Sequence, residues 1–524
     1  MGDTMRDNGS SGGESPQVFI TAAEAYPALE RAFLDAKSEI IGSFLVFDPE
    51  TRLRSPEGQA VGKRWFDLIV HCLQRGVSIT LTLSDFDPIA RAVMHRGTWR
   101  SLRLLQAAAE VAGPGAARLT ARAARHPAQT GSVPRFVISP MIMARVLKST
   151  RWLNRQSPQI RATALRDMPG ARALMVVRDD GTVRPRLWPL PRLFPGTHHQ
   201  KIAVFDRKAL YVGGLDLNER RYDDQDHEQA AEQTWHDVQA LVRGPVAADA
   251  ARHLETFQAV TAGQVAPINT GDLLVTLSRQ RHVPLIRFGP KPVVQGIFNA
   301  HCTAIAGARG LIYLETQYFR DGKLTKALCR AARQQPDMRL ILMLPGAPEE
   351  LAFGEHDGLD AQVGEWHQAR CLRHLQRAFG ARLFIGSAAQ QRRVKPKQKH
   401  GRDLLAKAPL IYIHAKVSVF DHVAIISSAN LNGRSMRWDT EAGVAFSQPE
   451  VVDDIRHRCM TNWLPEHADA SFHDPKTAVA AWRGLALSNA ARAPEDRQGF
   501  VLPYDIRAAE KFGTAVPFLP PEMV

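Results

Sequence analysis

Apolar and polar positions along the chain fall into two alternating periods. Residues 22–38 carry apolar side chains at helical spacing and lead into the apolar, β-branched stretch 40–47. A second helical pattern, 65–74, passes through Arg75-Gly76 into another strand-like run, 77–83. The same order recurs later, with 293–306 read as helix, 311–319 as strand, 324–334 as helix and 338–344 as strand. Helical periods of this length between short β-branched runs predict βαβ units, since parallel neighbours need a crossover long enough to hold a helix. The predicted fold class is α/β, with two pseudo-symmetric βαβ halves whose mixed, largely parallel sheets pack together and share one site at their interface.

The boundaries follow from where the periods fail. The first half spans 17–260 and the second 285–470; 261–284 has Gly, Pro and Asn without a sustained period and reads as a linker. A basic segment at about 87–168 reads as an insertion in the first half with no counterpart in the second. Residues 471–524 read as a tail, a short helix followed by Pro517-Phe-Leu-Pro-Pro521. Residues 1–16 are polar, rich in Gly and Ser and expected to be disordered; with no apolar core there, no secretory leader is expected. No stretch approaches the roughly 18 apolar residues of a span. Any membrane contact is therefore expected to be peripheral and the location cytoplasmic, with signal-independent export left open.

Charge sharpens this picture. The 524 residues carry a formal charge of +14. Between Arg91 and Leu165 there are twelve Arg and one Lys against a single acid, Glu110. Such a segment suits a polyanion, either nucleic acid or an anionic membrane surface, or else is a solvated face. Within it Phe136, Ile142, Val146 and Trp152 interleave with Arg145, Lys148 and Arg151. That pattern fits a helix lying among headgroups, or a core helix with snorkelling arginines. The five cysteines lie far apart with no Cys-x-x-Cys, which suggests neither a zinc site nor a disulfide framework.

Two motifs carry the candidate chemistry. The first is His199-Gln-Lys201-Ile-Ala-Val-Phe-Asp206, followed by Gly213-Gly214-Leu-Asp-Leu-Asn218. The second is His414-Ala-Lys416-Val-Ser-Val-Phe-Asp421, followed by Ser427-Ser428-Ala-Asn430-Leu-Asn432. The two histidines are 215 residues apart. Each His and Lys is read inside an apolar strand, where period-two alternation puts both on one face and Ile202, Val204, Val417 and Val419 on the other. Two imidazoles and two ammonium groups suit phosphodiester chemistry. The lysines neutralise the non-bridging oxygens, one imidazole attacks phosphorus, and the other protonates the leaving alkoxide. Asn218, Ser428, Asn430 and Asn432 are candidate phosphate-cradle donors. Asp206, Asp421, Gly213 and Gly214 are read as structural parts of the motif.

The first motif, continued through Glu-Arg-Arg-Tyr-Asp223, resembles the first catalytic motif of eukaryotic-type phospholipase D, and 425–436 resembles the second. Tyr313-Leu-Glu-Thr-Gln-Tyr-Phe319 and Trp235-His-Asp237 also resemble segments of that branch. The resemblance implies a metal-independent enzyme without cofactor, in which His199 is the nucleophile and His414 the general acid. It further implies that Asp237 orients His199 and that Glu441 orients His414, with Asp439 as a competitor. The implied reaction is cleavage of the distal phosphodiester of a glycerophospholipid to phosphatidic acid, through a phosphohistidine, with transphosphatidylation where an alcohol replaces water. Alternatives within the same superfamily are a cardiolipin or phosphatidylserine synthase-like phosphatidyltransferase and a nuclease; a non-catalytic polyanion-binding module is the alternative outside it. The expected partner is a phospholipid membrane surface reached through the basic insertion, with no obligate nucleic acid. A monomer is expected, because the internal duplication supplies both halves of the site.

Overall fold

The computed structural model describes residues 15–186, 188–354, 358–394, 402–517 and 520–523, so the expected disorder of 1–16 lies, up to residue 14, outside the described residues. Two large sheets organise them. The first contains β1 (Gln17–Ile20), β2 (Glu39–Phe44), β3 (Ser78–Ser84), β4 (Leu119–Ala124), β5 (Ile202–Phe205), β6 (Ala209–Gly213) and β7 (Val238–Arg243). Its spatial order is β1-β7-β6-β5-β2-β3-β4. The second contains β8 (Leu274–Arg279), β9 (Leu311–Thr316), β10 (Arg339–Met343), β11 (Leu383–Ala389), β12 (Lys416–Val419), β13 (Ala424–Ser427) and β14 (Glu441–Phe446). These run β8-β14-β13-β12-β9-β10-β11, the same order, extended at both edges by shorter strands.

Parallel pairing is confined to three strands of each sheet, β2-β3-β4 and β9-β10-β11. The remaining ladders are antiparallel. The sheets are thus mixed, but not largely parallel as the βαβ pattern predicts. The reason is that each motif strand returns as a hairpin, β5-β6 or β12-β13, and short hairpin connections force antiparallel neighbours.

One apolar core joins the facing sides of the two sheets. Ile202, Val204 and Val212 of the first sheet share it with Val417, Val419 and Ile426 of the second. Helices Pro245–Thr261, Pro449–Thr461 and Ala478–Ala491 contribute to the same core. The other face of each sheet is covered by helices of its own half. Helix Trp65–Gln74 shows why: Trp65, Leu68, Ile69, Cys72 and Leu73, at helical spacing, are its buried residues. Among the described residues no helix is long and apolar enough to cross a membrane.

Several expected boundaries move. Strand β4 lies within the expected insertion yet continues the sheet and corresponds to β11. Its Leu-Thr-Ala-Arg-Ala-Ala sequence gives little apolar signal because it is a half-exposed edge strand. The expected linker 261–284 contains β8, paired with β14 in the second sheet. The helix expected at 293–306 is preceded by an edge strand, Lys291–Gln295, and starts at Gly296. The tail is built into the fold: Trp482 is buried in the shared core, and Val501–Pro503 pairs with β11.

Candidate active site

Both histidines lie just before their strands rather than inside them, since β5 begins at Ile202 and β12 at Lys416. Beyond the end of its own sheet, each histidine-bearing segment pairs with a segment of the other half. The His199 amide donates to the Thr440 carbonyl at 2.8 Å, and the Thr440 amide donates to Thr197 at 2.9 Å. The His414 amide donates to the His236 carbonyl at 2.8 Å, and the His236 amide donates to Tyr412 at 2.9 Å. These parallel bridges, His198 with Thr440 and His236 with Ile413, are related by the pseudo-symmetry.

The bridges dictate which carboxylate meets which ring. Register places Gly213 opposite Gln239 and Ser427 opposite Gly443, so Asp237 and Glu441 are equivalent positions. His199 Nδ1 lies 3.0 Å from Glu441, and His414 Nδ1 lies 2.5 Å from Asp237. The expected pairing, Asp237 with His199 and Glu441 with His414, is therefore corrected: each ring is held by the carboxylate of the opposite half. Sequence proximity favours a partner in the same half, but the segment that carries each histidine, just before its strand, pairs with the other half. Asp439 is already engaged, accepting from the Thr197 amide at 2.7 Å and pairing with Arg434 at 2.9 Å. It positions the His199 segment and leaves the ring to Glu441.

Each lysine folds back over its own motif. Lys201 Nζ donates to the His199 carbonyl at 2.6 Å, and Lys416 Nζ donates to the His414 carbonyl. Lys416 Nζ also lies 2.9 Å from His414 Nδ1. Charged groups of both halves act on each member of the centre. Burial, then the charges of both lysines, hold each imidazole well below its ordinary range; His414 also feels Arg221 and His199. Burial lowers Lys416 to about 7, against the opposing pull of Asp237 and Glu441. Burial raises Asp237 and Glu441, with the lysines of both halves pulling them back down. Of the four motif side chains His199 is the most open, at 16% exposure against 5% for His414.

The remaining predicted residues divide between this centre and its scaffold. Ser428 donates its hydroxyl to Glu441 at 2.5 Å, behind His199. The Asn430 amide donates to Gln317 at 3.3 Å, and its buried carbonyl oxygen has no protein partner. Asn218 and Asn432, read as cradle donors, are helix caps: their side chains accept from the amides of Arg220 at 3.0 Å and Ser435 at 2.8 Å. Asp206 and Asp421 tie down the turns that precede β2 and β9, accepting from Lys37, Ser38 and Glu39 and from Arg309 and Gly310 respectively. Gly214 leaves the space that Asp237 fills, since a Cβ there would collide with its carboxylate. Gly213 does the same for the side chain of Gln239.

Two residues of the centre were not singled out from the sequence. Asp216 is buried, 3.8 Å from Lys201 Nζ, and pairs with Arg221. Arg221 lies over the Trp235 ring at 4.7 Å, and that ring sits 4.5 Å from His414. The signal was available: laying the two motifs over each other aligns Asp216 with Asn430.

The chain is similar to proteins of the phospholipase D superfamily. The family model described as cardiolipin synthase, PLD-like domain matches residues 301–463. Phospholipase D1 of Schizosaccharomyces pombe is 24% identical over 334 residues, covering 47% of this chain and 24% of its own length. Phospholipase D2 of Bos taurus is 26% identical over 289 residues, covering 45% of this chain and 30% of its own. The chain thus spans less than a third of the length of these curated relatives. Among solved structures, a phosphatidylserine synthase from Haemophilus influenzae Rd KW20 aligns over 91% of this chain and 94% of its own, with 12% identity and a TM-score of 0.49.

Proposed function

We propose that the chain is a phosphodiesterase that cleaves the distal phosphodiester of glycerophospholipids. One observation carries the reading: two imidazoles, each with Nδ1 against a buried carboxylate of the other half, sit among two lysines. Engaging Nδ1 fixes the tautomer and turns Nε2 toward substrate. His199 Nε2 forms the N–P bond as the bond from phosphorus to the headgroup oxygen breaks. His414 gives that oxygen a proton. It then takes one from water, whose oxygen displaces His199 from phosphorus and yields phosphatidic acid. An alcohol in place of water gives a phosphatidyl alcohol.

Protonation of His414 accompanies substrate binding. In the free enzyme burial, and after it the lysine charges, lower the ring's affinity for a proton; a phosphodiester anion among those lysines offsets their charge and raises that affinity. Asp237 then stabilises the imidazolium. Lys201, Lys416 and Asn430 surround the non-bridging oxygens, where negative charge grows in the transition state.

The match of 301–463 to a cardiolipin synthase-type domain favours a second reading, phosphatidyl transfer to a lipid alcohol as the physiological step. Incubation with phosphatidylcholine or phosphatidylethanolamine and a primary alcohol tests both. Phosphatidic acid and phosphatidyl alcohol are expected, and His199→Ala or His414→Ala should each cut turnover by more than about 10³-fold without changing the melting temperature. Cleavage of DNA with no lipid turnover would overturn the lipid reading.

A further inference from the structure

Six large apolar side chains stand exposed where two segments remote in sequence meet. One segment supplies Val133, Phe136 and Val137, the other Val283, Leu285 and Ile286; Phe136 and Val137 are each 70% exposed, Ile286 63% and Val283 78%. Backbone bonds join the segments: the Gly131 amide donates to Arg287 at 2.8 Å and the Val133 amide to Leu285 at 3.0 Å. The Thr130 hydroxyl adds a bond to the Phe288 carbonyl at 3.1 Å. Gly131 is required at the junction, because a Cβ there would run into the Pro284 carbonyl. The apolar tip is thus a constructed feature shared by both halves. Isolated exposed apolar residues are ordinary; a group of this kind on one rim marks an interaction surface.

Charge selects the occupant. From residue 111 to 166 the chain has no Asp or Glu, and from 273 to 314 it has none either. Arg135, Arg281 and Arg287 lie within these acid-free stretches beside the tip, and Lys148 and Arg151 lie on the following helix, Ser139–Asn154. That helix also exposes Met141, Leu147 and Trp152. A second copy of this chain docked through the same patch would bring two predominantly basic collars together, which is repulsive. An anionic bilayer satisfies both parts, taking the apolar tip below the headgroups and neutralising the arginines at the surface.

We infer that the 131–137 and 283–287 segments form a docking tip that inserts into anionic phospholipid membranes and presents the catalytic centre to the surface. The placement suits that role. The same loop continues to Gly289, whose backbone packs against the Trp438 indole, three residues before Glu441, the carboxylate that holds His199. The segment that anchors the tip is therefore packed against the stretch of chain that leads into Glu441. Presentation to the centre rests on the lipid reading above; attachment to the bilayer does not.

The test is co-sedimentation of the full chain with vesicles of equimolar phosphatidylcholine and phosphatidylglycerol, beside turnover of a short-chain phosphatidylcholine dissolved as monomers. Wild type should bind the mixed vesicles, and Phe136→Ser combined with Ile286→Ser should weaken binding by at least about tenfold. Melting temperature and turnover of the monomeric lipid should not change. Absence of wild-type binding, unchanged binding by the double variant, or a wild-type dimer that the variant dissociates would overturn the proposal. If wild type turned over neither monomeric nor vesicular lipid, the catalytic reading would fall, while vesicle binding would still decide the docking tip.

Discussion

Exchanging one carboxylate for its amide separates the roles of the two histidines. Asp237 holds His414 at 2.5 Å and Glu441 holds His199 at 3.0 Å. If His414 protonates the leaving group, Asp237→Asn should slow release of choline or ethanolamine by about 10²–10⁴-fold. A phosphatidyl ester of p-nitrophenol should recover most of that loss, because its leaving group departs without a proton. Glu441→Gln should be equally slow with both substrates, since it acts through the nucleophile. Rescue of the Glu441 variant instead of the Asp237 variant would reverse the assignment. The same positions show how far residue types alone carry the argument. His-x-Lys repeated at 199 and 414 named the candidate reacting groups, and Asp237 and Glu441 stood in the sequence as candidates to orient them. Which carboxylate serves which ring depends on a backbone crossover, and neither composition nor spacing encodes it.

At the scale of elements, the motif aspartates act on strands rather than on substrate. Burial alone would raise the Asp206 carboxyl, but the amides of Glu39, Lys37 and Ser38 and the Ser38 hydroxyl outweigh it and hold the group down to about 2. A folded-state value below the unfolded one contributes stability that is present above the ordinary carboxylate range and lost as pH falls through about 2. Asp206→Asn should therefore destabilise the protein by about 1–2 kcal/mol near neutral pH, allowing for solvent screening. The gap in denaturant midpoint between variant and wild type should close as the pH falls from about 4 toward 2. A gap that did not depend on pH would refute the carboxylate account. Central strands and amphipathic helices were legible because burial on one or both faces writes a period into the sequence. The edge strand β4 was not, since a half-exposed strand needs few apolar residues and borrows its stability from a neighbour.

At the scale of the whole molecule, the burial of two lysines beside two carboxylates sets the pH response. Lys416 is lowered to about 7, so its positive charge is lost as pH rises through that value. Because kcat/KM reports the free enzyme, it should decline above about pH 7, by up to roughly tenfold per pH unit while a single group titrates. The kcat should hold to higher pH, because a bound phosphodiester anion stabilises the ammonium form. A kcat/KM that stayed flat from pH 7 to about 9 would refute the account, since a lysine at its ordinary value keeps its charge across that range. The duplicated strand order makes this possible, as it brings the lysine of each half within the field of the other half's carboxylate.

What the sequence determined by itself was local and repetitive: the helices and central strands with a clear period, the two motifs, and the kind of chemistry that two imidazoles and two ammonium groups support. These depend on residues within a few positions of one another, and a linear pattern records them. Tertiary structure decided the rest. The exchange of carboxylates between halves, the use of Asn218 and Asn432 as caps, the joining of Val133 to Leu285 and the incorporation of the C-terminal strand all arise from contacts between segments roughly one hundred or more residues apart, or from backbone groups competing for a side chain. Such contacts are set by how strands cross and pair in three dimensions, and no period along the chain carries that information.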